Sequence, residues 1–136
     1  MFLLDTDALS ELEKPRPDTG LLAWFETVDW LDLHLSVITL GELWQGIATL
    51  PHGRKRGALA AMFNLIPDRF HNRIIPVDSS IAVRFGEIQA GAGPLPSLDT
   101  LIAATAITKR LTLVTHNRQD MVRTGATVLD PWAGGS

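Results

Sequence analysis

Short apolar runs alternate with longer segments in which hydrophobic residues recur every three or four positions. Residues 2–5 predict a brief strand that ends in Asp5, and residues 7–13 predict one or two helical turns. Lys14-Pro-Arg-Pro17 stops that helix, because proline cannot continue one and disfavours helix in the residue before it. Leu21, Leu22, Phe25 and Val28 line one face of a helix over 18–28. Residues 32–37 alternate with period two, as a strand does, and residues 39–50 return to the helical period. A further helix is predicted over 54–66, a weak edge strand with a proline over 74–77, and a helix over 81–90. Residues 91–96 read as a loop, 97–110 as a helix, 111–115 as a strand, 117–122 as a short helix and 126–129 as a last strand. Residues 1–132 thus predict a single α/β domain, an α/β/α sandwich on a mainly parallel sheet, with a frayed tail at 133–136.

Composition narrows the class. The chain of 136 residues is 46% hydrophobic and 20% charged, which excludes disordered and collagen-like chains. It has no cysteine, so disulfides, thiolate zinc sites, iron–sulfur clusters and cysteine nucleophiles are all excluded. Asp5 interrupts the first apolar run, and Asp99, Lys109 and Arg110 interrupt the most apolar region, residues 98–114. Neither a signal peptide nor a membrane span is expected, and the predicted location is cytoplasmic. A net charge of −3 argues against a protein that coats nucleic acid passively, but not against an enzyme that acts on it.

Candidate chemistry resides in the acids. Each has an ordinary role open to it: Asp5 can cap the turn after its strand, Thr39-Leu-Gly-Glu42 has capping-box spacing, and Asp99 and Asp120 suit helix amino ends. Together they are less ordinary. Asp5, Glu42, Asp99 and Asp120 are all predicted at strand-to-helix junctions, which a parallel sheet gathers along one edge. Asp99 shares its helix face with Ile102, Ala103 and Ala106, so it points toward the sheet and lacks an evident partner. Glu42 shares a face with Thr39, while Leu43, Trp44, Ile47 and Leu50 are left for the core. Converging carboxylates need a cation or a raised pKa, and oxygen donors select Mg²⁺ or Mn²⁺ over zinc. Such a centre suits phosphoryl chemistry.

The order of motifs carries a resemblance. Leu4-Asp-Thr-Asp-Ala-Leu-Ser-Glu11, Lys14-Pro-Arg-Pro17, Ser36-Val-Ile-Thr-Leu-Gly-Glu-Leu43, Ile75-Pro-Val-Asp78, Asp99-Thr-Leu-Ile-Ala-Ala-Thr-Ala106, Leu113-Val-Thr-His-Asn117 and Asp130-Pro-Trp132 follow one another along nearly the whole chain. In this the chain resembles PIN-domain ribonucleases, specifically VapC/FitB-type toxins of type II toxin–antitoxin pairs. The resemblance implies a PIN-like fold and Mg²⁺-assisted hydrolysis of RNA, with Mn²⁺ a plausible substitute. It implies Asp5, Glu42 and Asp99 as acidic metal-site and catalytic positions, with Asp120 or Asn117 as the fourth. Thr6 and Thr115 match hydroxyl-bearing positions that would orient Asp5 or a water, or else serve as ordinary caps. Asp7 stands where asparagine is more typical, adding charge beside the site, and Met121 where an aromatic is usual. A homodimer and a VapB-like antitoxin are implied as well, the antitoxin meeting residues 14–17 and 54–63.

Arg54, Lys55, Arg56 and Arg118, with Arg123, are either a solvated face or contacts for RNA phosphates, and His116 is a candidate proton shuttle. The tryptophans Trp24, Trp30, Trp44 and Trp132 read as core or interface residues. Two rival functions remain in view. Asp5-Thr-Asp7 after a strand also starts haloacid-dehalogenase-type phosphatases, although Leu9 and the lack of a placed lysine speak against that family. A PIN-like binding module without catalysis is the other, with Asn117 in its favour.

Overall fold

The computed structural model describes residues 1–133, so the tail beyond Ala133 lies outside the described residues. The chain folds as β1 (Phe2–Leu4), α1 (Thr6–Leu12), α2 (Thr19–Phe25), β2 (Leu33–Ser36), α3 (Val37–Ala48), α4 (Arg54–Asn64), α5 (Ile66–Phe70), β3 (Ile74–Ile75), α6 (Ser79–Ala92), α7 (Ser97–Lys109), β4 (Thr112–Val114), α8 (Arg118–Val122) and β5 (Val128–Leu129). Among these residues the five strands form one sheet in the order β3-β2-β1-β4-β5, with every pairing parallel. The weak strand lies at an edge, as its proline predicts.

Both faces of the sheet are covered. Leu4, Leu33, Leu35 and Val114 pack with Leu9, Leu21, Ile66 and Phe70 on one side. Leu3 and Leu113 pack with Ile102, Ala103, Ala106 and Met121 on the other. Successive strand residues thus enter opposite cores, the arrangement of a parallel sheet buried between helix layers. Small residues on α7 let it lie close to the sheet, as the Ile102/Ala103/Ala106 face predicts.

Several boundaries differ from the sequence reading, each for a local reason. Ser36, at the end of β2, accepts a hydrogen bond from the Ile38 N–H at 3.0 Å, so α3 begins at Val37. Thr39 is therefore inside the helix and buried, and the predicted capping box does not form. Pro67 has no N–H to continue the α4 ladder, and the chain breaks at Leu65 and restarts as α5, which the sequence pattern missed. Helix α6 runs on through Gly91 and Ala92, ending as the Gly93 N–H bonds the Gln89 carbonyl, so only the end of the predicted loop is a loop. Trp44 is 41% exposed, beside Phe63, rather than in the core.

The strand order places a topological switch between β1 and β4. The chain moves from β1 outward to β2 and β3, then crosses back to β4 on the other side of β1. Crevices at the carboxyl ends of strands flanking such a switch are where α/β sheets bind ligands.

Candidate active site

Asp5 sits at this switch. Its backbone N–H bonds the Val114 carbonyl of β4 at 2.9 Å, extending the sheet by one residue. In extended conformation it caps α1, its Oδ1 accepting the Thr6 N–H at 2.7 Å. Its Oδ2 accepts the hydroxyl of buried Thr115 at 2.7 Å, and that hydroxyl in turn accepts the Asn117 N–H at 3.0 Å. The capping role expected of Asp5 is thus real, but it uses one oxygen only. With 5% of its surface exposed, Asp5 is pushed up to a pKa of about 7 by burial first and by the charge of Asp7 second; the bonds from Thr115 and Thr6 pull the other way.

Glu42 reaches the same edge from the second turn of α3. Its Oε1 accepts the Thr6 hydroxyl at 2.6 Å, and that hydroxyl is also hydrogen-bonded to the buried Thr39 hydroxyl at 3.1 Å. Asp99 lies in the first turn of α7, which follows a helix–helix loop rather than the strand that sequence reading expected. It receives no hydrogen bond from any described residue. Burial, then the charges of Glu42 and Asp120, raise its pKa, which puts the three carboxylates within electrostatic reach of one another. Asp99 also raises the pKa of Asp5. Asp120 lies in the first turn of α8, whose cap residue Asn117 makes no side-chain capping bond. Of the two fourth-position candidates, Asp120 carries a charge that acts on Asp99, whereas Asn117 is neutral and gives its backbone N–H to the Thr115 hydroxyl.

Asp7 adds a fifth acid at the rim. Its Oδ2 accepts the His116 N–H at 3.1 Å and lies 3.5 Å from the Thr115 hydroxyl, while its Oδ1 is buried with no partner. Burial raises its pKa too. Among the described residues no lysine, arginine or histidine forms an ion pair with Asp5, Asp7, Glu42, Asp99 or Asp120. The donors are therefore all oxygen, uncompensated and partly orphaned, and in kind they fit a hard divalent cation. Among the described residues, however, no three such side chains stand close enough together to hold an ion.

The basic residues divide. Arg54 and Lys55 open α4 and are exposed, whereas Arg56 turns back to donate to the Leu50 carbonyl at 3.2 Å. Arg118 is exposed at the start of α8, and Arg123 reaches the Ala92 carbonyl at 3.4 Å. A groove of about 540 Å³ runs between α1, α3 and α4. Leu9, Leu43, Ile47, Leu59 and Phe63 line it, with Thr6 and Glu42 among its walls. Sequence reasoning missed the roles of Thr39 and Asp130. The first was hidden by the mistaken cap, and the second pairs with His116 from 14 positions away.

A family model described as PIN domain matches residues 2–126. Toxin FitB of Neisseria gonorrhoeae is 33% identical over 97% of this chain and 99% of its own, and VapC ribonuclease Y4jK of Sinorhizobium fredii 30% over 97% and 98%. The crystal structure of FitAcB from Neisseria gonorrhoeae superposes with a TM-score of 0.91 at 33% identity, covering 97% of this chain and 99% of that one. A toxin–antitoxin complex from Klebsiella pneumoniae superposes with a TM-score of 0.74 at 25% identity, covering 97% and 98%. Fold, order of motifs and full-length similarity agree: the chain belongs to the PIN-domain family, alongside toxins of the FitB and VapC type.

Proposed function

We propose that this protein is an Mg²⁺-dependent endoribonuclease toxin that hydrolyses RNA phosphodiesters and is neutralised by a VapB-like antitoxin. The observation that carries the reading is the set of carboxylates at the sheet's topological switch, Asp5 buried and the others half-buried, without an ion-pair partner among the described residues, in a chain whose full-length relatives include a VapC ribonuclease. Asp5 and Asp99 would hold the cation, with Glu42 and Asp120 completing its surroundings. A divalent cation bound there supplies charge neutralisation at the phosphate and activation of water. Thr115 and the Thr6 N–H fix the Asp5 carboxylate, and the Thr6 hydroxyl fixes Glu42. The amino end of α7 adds positive potential toward a phosphate.

The apolar groove supports the antitoxin partner. Lys14 and Pro15 border it, together with Lys55, Leu59, Met62 and Phe63 of α4, the two segments that the family resemblance assigns to partner contact. Because Thr6 and Glu42 are among its walls, a segment seated there would reach the carboxylates. A homodimer and a cytoplasmic location belong to the same proposal; among the described residues no helix is long and apolar enough to cross a membrane.

Incubation with RNA tests the proposal. Cleavage is expected with Mg²⁺ or Mn²⁺ and none with excess chelator. Turnover of small phosphate monoesters without RNA cleavage would instead favour the phosphatase. RNA binding with no cleavage in either metal would leave a binding module.

A further inference from the structure

His116 follows β4 at the carboxylate edge, and its backbone N–H holds Asp7. Its ring is held from behind by other groups. Nδ1 lies 3.2 Å from Oδ2 and 3.3 Å from Oδ1 of Asp130. A carboxylate only accepts, so Nδ1 carries the hydrogen and Nε2 is left outside that contact. One face of the imidazole stacks on Trp132, with ring centres 4.9 Å apart and planes 24° from parallel. The Asp130 side chain is 6% exposed and the His116 side chain 52%.

The supports are themselves tied down without His116. The Trp132 N–H bonds Asp130 Oδ1 at 3.1 Å, and the Ala133 N–H bonds Asp18 Oδ2 at 2.8 Å. Gly20 of α2 faces the same segment so closely that a Cβ there would come within 2.5 Å of the Pro131 carbonyl and 2.4 Å of the Ala133 nitrogen. Residues 130–133 are thus anchored by Gly20, Asp18 and the buried indole, and they gain little from a half-exposed imidazole. The converse holds: His116, at a surface position where a side chain ordinarily keeps its rotamer freedom, is fixed by a buried carboxylate and a buried aromatic ring.

We infer that the outer face of His116 is a stacking platform for an unpaired base of the RNA substrate beside the carboxylates, a reading that rests on the proposed ribonuclease function. RNA-binding proteins stack splayed bases on aromatic and histidine rings, and a ring already immobilised loses little further entropy when the base arrives. Asp130 and Trp132 are positioning residues in this scheme: they set the ring's plane and do not touch RNA.

The test uses the full chain carrying Asp99→Asn, so that RNA stays intact, and a short fluorescein-labelled single-stranded RNA of mixed sequence in Mg²⁺. Adding His116→Ala is expected to weaken binding about fivefold or more, the usual loss when a base–aromatic stack is removed, while His116→Phe keeps affinity within about twofold. Without any change at residue 116, saturating RNA should move the His116 ring-proton NMR signals upfield and leave those of His52 in place. A His116→Ala variant that binds as tightly as its parent, or ring signals that stay put while the parent binds RNA, would overturn the inference and leave the ribonuclease reading standing. If the parent binds no RNA and the unsubstituted enzyme cleaves none, that reading fails and this one with it.

Discussion

Asp5→Asn is expected to stabilise the metal-free protein at pH 8 and to be nearly neutral at pH 4. The reason is the buried carboxyl, whose pKa rises from 3.8 to about 7 on folding. A raised carboxyl pKa means that the folded state binds the proton more tightly than the unfolded one. Stability therefore falls as pH rises through 3.8 toward 7, and the whole deficit is present above pH 7. At 1.36 kcal/mol per pH unit it amounts to about 4 kcal/mol. Asparagine keeps its single oxygen for the Thr6 N–H, turns its amide N–H toward the Thr115 hydroxyl in place of the oxygen that accepted from it, and has no charge to bury. Urea denaturation of both proteins in chelator, at pH 4 and pH 8, reads the difference. Millimolar Mg²⁺ should return the deficit to the unsubstituted protein and do nothing for the variant. A variant less stable at pH 8 than its parent would mean that the Asp5 charge is already compensated.

Asp99→Asn is expected to reduce Mg²⁺-dependent RNA cleavage by more than about 100-fold while leaving the fold intact, which is the upper range of losses for groups that only support a metal's ligands. Asp99 makes no hydrogen bond that asparagine would break, and α7 begins at Ser97 after Pro96 with no contribution from the Asp99 side chain. Removing its charge also relieves Glu42 and Asp120, so the melting temperature at neutral pH should rise rather than fall. Gel assays of cleavage beside thermal melts separate the two effects. Undiminished cleavage would remove Asp99 from the centre, and cleavage lost together with stability would make its role structural.

This expected opposition between stability and activity is what makes the candidate site legible in sequence. Acids placed where they cost free energy stand out as soon as the helix faces are drawn, as Asp99 does beside Ile102, Ala103 and Ala106. The parallel sheet and its edge strand followed from alternation and from one proline. Less legible was whatever depended on which of two neighbouring hydroxyls would cap a helix. Ser36 took that role from Thr39, which moved the start of α3 by two residues and left Glu42 bonded to Thr6 instead of a backbone amide. The break at Leu65 was missed because the apolar period continues across it, although Pro67 removes the hydrogen bond that would carry the helix on. The Asp130–His116–Trp132 cluster joins positions that no local period connects. A net charge of −3 argues against a passive coat of nucleic acid, and the placement of the acids is what makes it compatible with the proposed enzyme.

The proposed function requires that Asp5, Glu42, Asp99 and Asp120 hold one divalent centre. Calorimetric titration of Mn²⁺ into metal-free protein at pH 7.5 tests it most directly. A saturable heat in the unsubstituted chain, lost in Asp5→Asn and in Asp99→Asn alike, is the predicted result. Equal binding in all three proteins, or none in any, would contradict it.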